Sequence, residues 1–64
     1  MRLQEIRKGK GLTLKQVAER SNLSEAAICL YENGKRKPML DSLIKLANAL
    51  DVSVEQLLDL HHEQ

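Results

Sequence analysis

Apolar residues recur along this chain at helical spacing, and each break in the spacing holds a residue suited to start or stop a helix. Leu3, Ile6 and Arg7 share a face of a first helix that should stop at Gly9 or Gly11. Thr13 and Gln16 have the spacing of a capping box and open a second helix with Val17 and Ala18 inward. Asn22, which tolerates left-handed backbone angles, ends it. Ser24 caps a third helix with Ala27, Ile28 and Tyr31 on its inner side, closed by Asn33-Gly34. After the loop Lys35-Arg36-Lys37-Pro38 comes a fourth helix of Leu40, Leu43, Ile44, Leu46, Ala47 and Leu50. Ser53 and Gln56 form a second capping box, for a short fifth helix carrying Val54, Leu57, Leu58 and Leu60. Strand alternation is absent, so the expected fold is a compact all-α bundle of five helices.

At 64 residues, 42% of them hydrophobic, the chain holds one core and no second domain. We expect a single domain over residues 1–60 and a disordered tail at 61–64. A core this small leaves the folding balance near zero, so self-association is expected. No run approaches the 18 apolar residues of a membrane span. Met1-Arg2-Leu3-Gln4-Glu5 has no apolar stretch of the secretory kind, so the expected location is the cytoplasm. The single cysteine, Cys29, allows no internal disulfide or multi-cysteine metal site. It is expected to be an inert small residue. His61-His62-Glu63 lacks metal-ligand spacing, and neither metal nor cofactor is expected. With no phosphate-binding glycine loop and no nucleophile beside a base, catalytic residues are expected to be absent and the protein is not expected to be an enzyme.

Charge changes the picture once it is divided along the chain. Residues 1–20 carry six basic and two acidic side chains, residues 21–38 three and two, and residues 39–64 one and five. A basic front and an acidic rear suit a domain that turns one side to a polyanion. Tyr31 is the one aromatic residue, so there is no stacking platform for single-stranded nucleic acid.

The second and third helices meet across a short turn containing Asn22, with Ala18 and Ile28 flanking it, which is helix-turn-helix spacing. The longer line Ile6-Arg7, Gly11-Leu12-Thr13, Val17-Ala18, Leu23-Ser24, Ile28, then Tyr31 through Pro38, closely resembles the lambda-repressor-like family of the Xre type. Leu46-Ala47, Leu50 to Ser53 and Leu57-Leu58 continue the match, which covers residues 2–60. The resemblance implies a DNA-binding transcriptional regulator, expected to be a homodimeric repressor with the third helix in the major groove. It implies phosphate contacts from Thr13, Lys15 and Gln16, and from Asn33, the Gly34 backbone, Lys35 and Arg36. It also implies a structural ion pair between Arg7 and Glu32. Phage-type repressor, restriction-modification controller and antitoxin all fit. We expect the fifth helix to form the dimer interface through Leu57 and Leu60.

The third helix departs from the family pattern. Its outward stripe is Glu25, Ala26, Cys29, Leu30 and Asn33, where the family usually carries Arg, Lys, Gln, Ser or Thr. Two readings remain open. Glu25, Ala26 and Leu30 can contact bases, the carboxylate accepting from cytosine and the alkyl groups packing on thymine methyls. Alternatively, Ala26, Cys29 and Leu30 form an apolar face for an unidentified protein partner. Leu14 stands where the family commonly has Gln, and is expected to pack on the core beside Val17 and Ala18.

Overall fold

The computed structural model describes residues 1–59; Leu60 and the tail at 61–64 lie outside the described residues. Five helices follow in order, α1 (Leu3–Gly9), α2 (Leu14–Ser21), α3 (Glu25–Glu32), α4 (Leu40–Leu50) and α5 (Val54–Leu58), with no strand among the described residues. Both capping boxes form: Thr13 Oγ1 accepts from the Gln16 N–H at 3.1 Å while Gln16 Oε1 accepts from the Thr13 N–H at 2.8 Å, and Ser53 and Gln56 repeat the exchange. Ser24 Oγ accepts from the Ala27 N–H and starts α3.

Leu3, Val17, Ile28, Leu46, Leu50 and Leu57 are 0–1% exposed, so each helix contributes at least one fully enclosed side chain to a single core. α2 packs on α3 and α4, while α1 bridges α3 and α5. The Arg2 N–H donates to the Leu57 carbonyl at 2.8 Å, joining the two ends of the bundle. Leu14 rests on this core, as do Leu12, Leu23, Tyr31 and Leu43.

Leu40 and Ile44 of α4 are 69% and 44% exposed. α4 turns Leu46, Ala47 and Leu50 to its neighbours, and Leu40 and Ile44 stand about 80–120° round from Leu50 on a helix of 3.6 residues per turn. One expectation is corrected: Leu57 is not available as a dimer contact, because its side chain is wholly enclosed in the protomer.

Candidate nucleic-acid interface

The turn between α2 and α3 is fixed from within. Asn22 adopts the left-handed conformation at φ 58°, and the Leu23 N–H reaches back to the Ala18 carbonyl at 3.1 Å. Ser21, buried at the same corner, donates its hydroxyl to the Val17 carbonyl at 2.7 Å and so brings no unsatisfied polar group inside. The start of α2 therefore stands beside α3 at a set angle. A shallow cleft of about 410 Å³ between them is lined by Lys15, Glu19, Asn22 and Glu25. Thr13, Lys15 and Gln16 are all exposed along this edge. With Oε1 of Gln16 held by the capping box, its amide N–H₂ group remains free to donate.

On α3, Glu25, Ala26, Cys29 and Asn33 are exposed and Leu30 is half-buried, whereas Ile28 is fully enclosed. The outward stripe is thus one continuous surface. Asn33 donates Nδ2–H to Cys29 Sγ at 3.5 Å across one helical turn.

The end of α3 carries the basic loop. Gly34 has φ 74°; its N–H donates to the Tyr31 carbonyl, and the Lys35 N–H donates to the Leu30 carbonyl at 3.0 Å. These two bonds are a Schellman termination, and the Arg36 N–H adds a second donor to the same Leu30 oxygen at 3.3 Å. Asn33, Lys35 and Arg36 are exposed, so the clamp residues stand at the C-terminal edge of the α3 stripe with their backbones tied to it. At Gly34 an added Cβ would meet no atom within 4 Å, so only backbone strain opposes a side chain. Gly34→Ala is therefore expected to cost about 1–2 kcal/mol, read from the shift of a urea denaturation midpoint. An unshifted midpoint would show that the left-handed turn is not maintained.

Behind α3, Arg7 and Glu32 meet as a fork. Arg7 Nε donates to Glu32 Oε2 at 2.6 Å and Nη2 to Oε1 at 3.1 Å, while Nη1 donates to the Leu12 carbonyl at 2.9 Å. Both side chains are nearly enclosed, 10% and 3% exposed. The hydrogen bonds that Arg7 donates to Glu32 raise its pKa above its already high ordinary value despite the cost of burial, so the guanidinium stays charged. One side chain thereby joins α1, the α1–α2 connection and the last residue of α3. The Leu12 contact is to a backbone atom, and no side-chain pattern signals it.

Among the described residues, Met39 at 76%, Leu40, Ile44 and Met1 at 48% are the large hydrophobic side chains left exposed, three of them in or next to the first half of α4. Next to them a cleft of about 460 Å³ is lined by Met1, Tyr31, Pro38, Leu43 and Leu58, with Arg36 and Lys37 on its rim. The i, i+4 spacing of Leu40 and Ile44 is the sequence signal for this surface. No helix among the described residues is long and apolar enough to cross a membrane.

Comparison with known proteins adds to this geometry. A family model described as helix-turn-helix matches residues 3–57. The chain is 41% identical over 59 residues to the HTH-type transcriptional regulator YobD of Bacillus subtilis, covering 92% of this chain and 53% of that protein. It is 36% identical over 63 residues to the regulator SinR of the same organism, covering 97% and 57%. The chain spans about half the length of these curated relatives. Among solved structures, the restriction-modification controller protein C.AhdI from Aeromonas hydrophila superposes with a TM-score of 0.85 at 38% identity, covering 88% of this chain and 85% of that one. The N-terminal DNA-binding domain of SinR gives a TM-score of 0.85 at 35% identity, covering 97% and 91%. With a capped helix pair, a braced third helix and a match from residue 3 to residue 57, the chain belongs to the lambda-repressor-like helix-turn-helix family of the Xre type, a family of DNA-binding transcription regulators.

Proposed function

We propose that this domain binds duplex DNA as a homodimer, with α3 in the major groove and the phosphates on either side held by Thr13, Lys15, Gln16, Asn33, Lys35 and Arg36; the Gly34 backbone, expected in this set, has its N–H committed to the Tyr31 carbonyl and serves instead to shape the turn. The observation that carries the reading is the double hydrogen bond from the Lys35 and Arg36 N–H groups to the Leu30 carbonyl. It fixes two cationic residues at the end of the helix that would enter the groove, as a phosphate clamp requires. Glu25, Ala26 and Leu30 are the proposed base contacts. Repression follows by occlusion, since an occupied groove and flanking backbone are closed to other proteins.

The dimer contact is proposed at Met39, Leu40 and Ile44. These side chains are exposed, apolar and adjacent to the clamp loop, so a second copy would remove them from water while keeping both α3 helices on one side. Protomer extents of 34 × 23 × 19 Å allow the two α3 helices to sit one duplex turn, about 34 Å, apart. Leu60, expected at the interface, lies outside the described residues.

Selection from random duplex DNA at low salt tests the reading. It should enrich a palindrome with half-sites one turn apart. Sedimentation of a Leu40→Glu, Ile44→Glu double variant should show a monomer where the parent is a dimer. Failure to enrich any sequence would overturn the DNA-binding reading, and an unchanged dimer would move the interface elsewhere.

A further inference from the structure

The α3 stripe has a chemical character that goes beyond its exposure. Of its four central side chains, Glu25 makes no hydrogen bond or ion pair among the described residues, Ala26 and Leu30 are alkyl, and Cys29 accepts from Asn33 through its sulfur. None of the four offers an N–H donor. The one amide donor on the stripe, Asn33, stands at its C-terminal end and is turned to Cys29 Sγ, while the Ser24 hydroxyl and the first turn of α2 lie off the helix face. Guanine shows two acceptors to the major groove and is read by paired donors, which this face lacks. Thymine and cytosine edges differ. Each carries its C5 position toward the groove, as a methyl group in thymine and as C–H in cytosine, and cytosine adds an amino donor that a carboxylate can accept.

The spacing matches. Ala26 and Leu30 are one turn apart on the same face, with a rise of about 6 Å, close to two base-pair steps of about 3.4 Å. Leu30 is half-buried and its carbonyl is tied by two N–H groups, so the backbone that carries its side chain is held in position. Glu25 stands next to Ala26 at the leading end of the helix, where helix-turn-helix proteins meet base edges.

We propose that α3 reads pyrimidine 5-methyl groups. Thymine or 5-methylcytosine faces Ala26 and Leu30, with a cytosine amino group on Glu25, so that C5-methylation of cytosine in the half-site strengthens binding and makes the domain sensitive to the methylation state of the duplex. The proposal rests on the DNA-binding reading above and names the chemistry that the site recognises.

The test uses the parent protein and the duplex enriched by selection, at one fixed low salt concentration. Each thymine is replaced in turn by uracil, which deletes only the methyl, and each cytosine by 5-methylcytosine, which adds only one. Uracil at one or two positions in each half-site should weaken binding about fourfold each, the value of one buried methyl group. At least one 5-methylcytosine should tighten binding by a similar factor. Leu30→Ala should remove the uracil effect at one position, and Ala26→Ser, on an exposed residue, should do so at another. If all the methyl changes leave affinity within about twofold on a duplex that is bound with sequence preference, methyl reading is wrong and DNA binding stands. If no duplex is bound, both readings fall and the stripe passes to a protein partner.

Discussion

Arg7→Ala and Glu32→Ala should each destabilise the domain by about 3–5 kcal/mol, far more than a surface ion pair contributes. Either truncation strands an ionised partner that is 10% exposed or less. Arg7→Ala also removes the donor to the Leu12 carbonyl, so its loss should be the larger of the two. The double variant should lose much less than the sum, because removing both charges ends the cost of burying one alone. Arg7→Lys keeps the charge but not the fork, and should fall between parent and alanine. Total stability for a chain of this length is about 3–10 kcal/mol, so thermal melts of the single variants should sit near ambient temperature. Strictly additive losses around the cycle would dismiss the pair as a brace. A further consequence concerns the interface: Glu32 is the last residue of α3, so losing the brace loosens the base on which Lys35 and Arg36 are mounted.

The second large effect is on affinity. A dimer making roughly six phosphate contacts should lose about a thousandfold in affinity between 50 and 200 mM salt, since each neutralised phosphate adds about 0.9 to the logarithmic slope. Arg36→Ala is a clean deletion here, because the residue contributes to the α3 termination through its backbone N–H, which alanine retains. It should weaken binding to every duplex and reduce the slope by about 1.8, one contact from each protomer. Glu25→Ala should act differently, costing about 1–3 kcal/mol on the selected site and little on random duplex. The discriminating measurement is a salt titration of each variant on both duplexes. An Arg36→Ala slope equal to the parent's would remove this residue from the phosphate set.

Local chemistry explains why so much of the fold was legible in the sequence. Thr13 with Gln16, Ser53 with Gln56, Ser24 and Asn22 each satisfy backbone groups within a few residues, so their geometry follows from neighbours in the chain. Asp51 and Asp59 also adopt left-handed angles, but aspartate carries this signal less clearly than glycine or asparagine. Leu40 and Ile44 show where such reasoning stops. Periodicity gives the angle of a side chain around its helix, whereas the width of the neighbouring helices decides how much of that angle is covered. Leu57 illustrates the reverse case, an apolar residue on a five-residue helix that the core claims entirely. In the candidate site, exposed cations at Lys35 and Arg36 are readable one residue at a time. Their attachment to Leu30 depends on three backbone bonds closing around Gly34.

That attachment bears on the thermodynamics of association. A loop that became ordered only on DNA would lose roughly 1–2 kcal/mol of backbone entropy per residue at the moment of binding. At Gly34, Lys35 and Arg36 the restriction is already present in the free domain, because their N–H groups hydrogen-bond to Tyr31 and Leu30. Binding then freezes side-chain rotamers on a backbone whose shape is preset, so the heat-capacity change should reflect apolar surface buried in the complex and carry no contribution from folding of this loop.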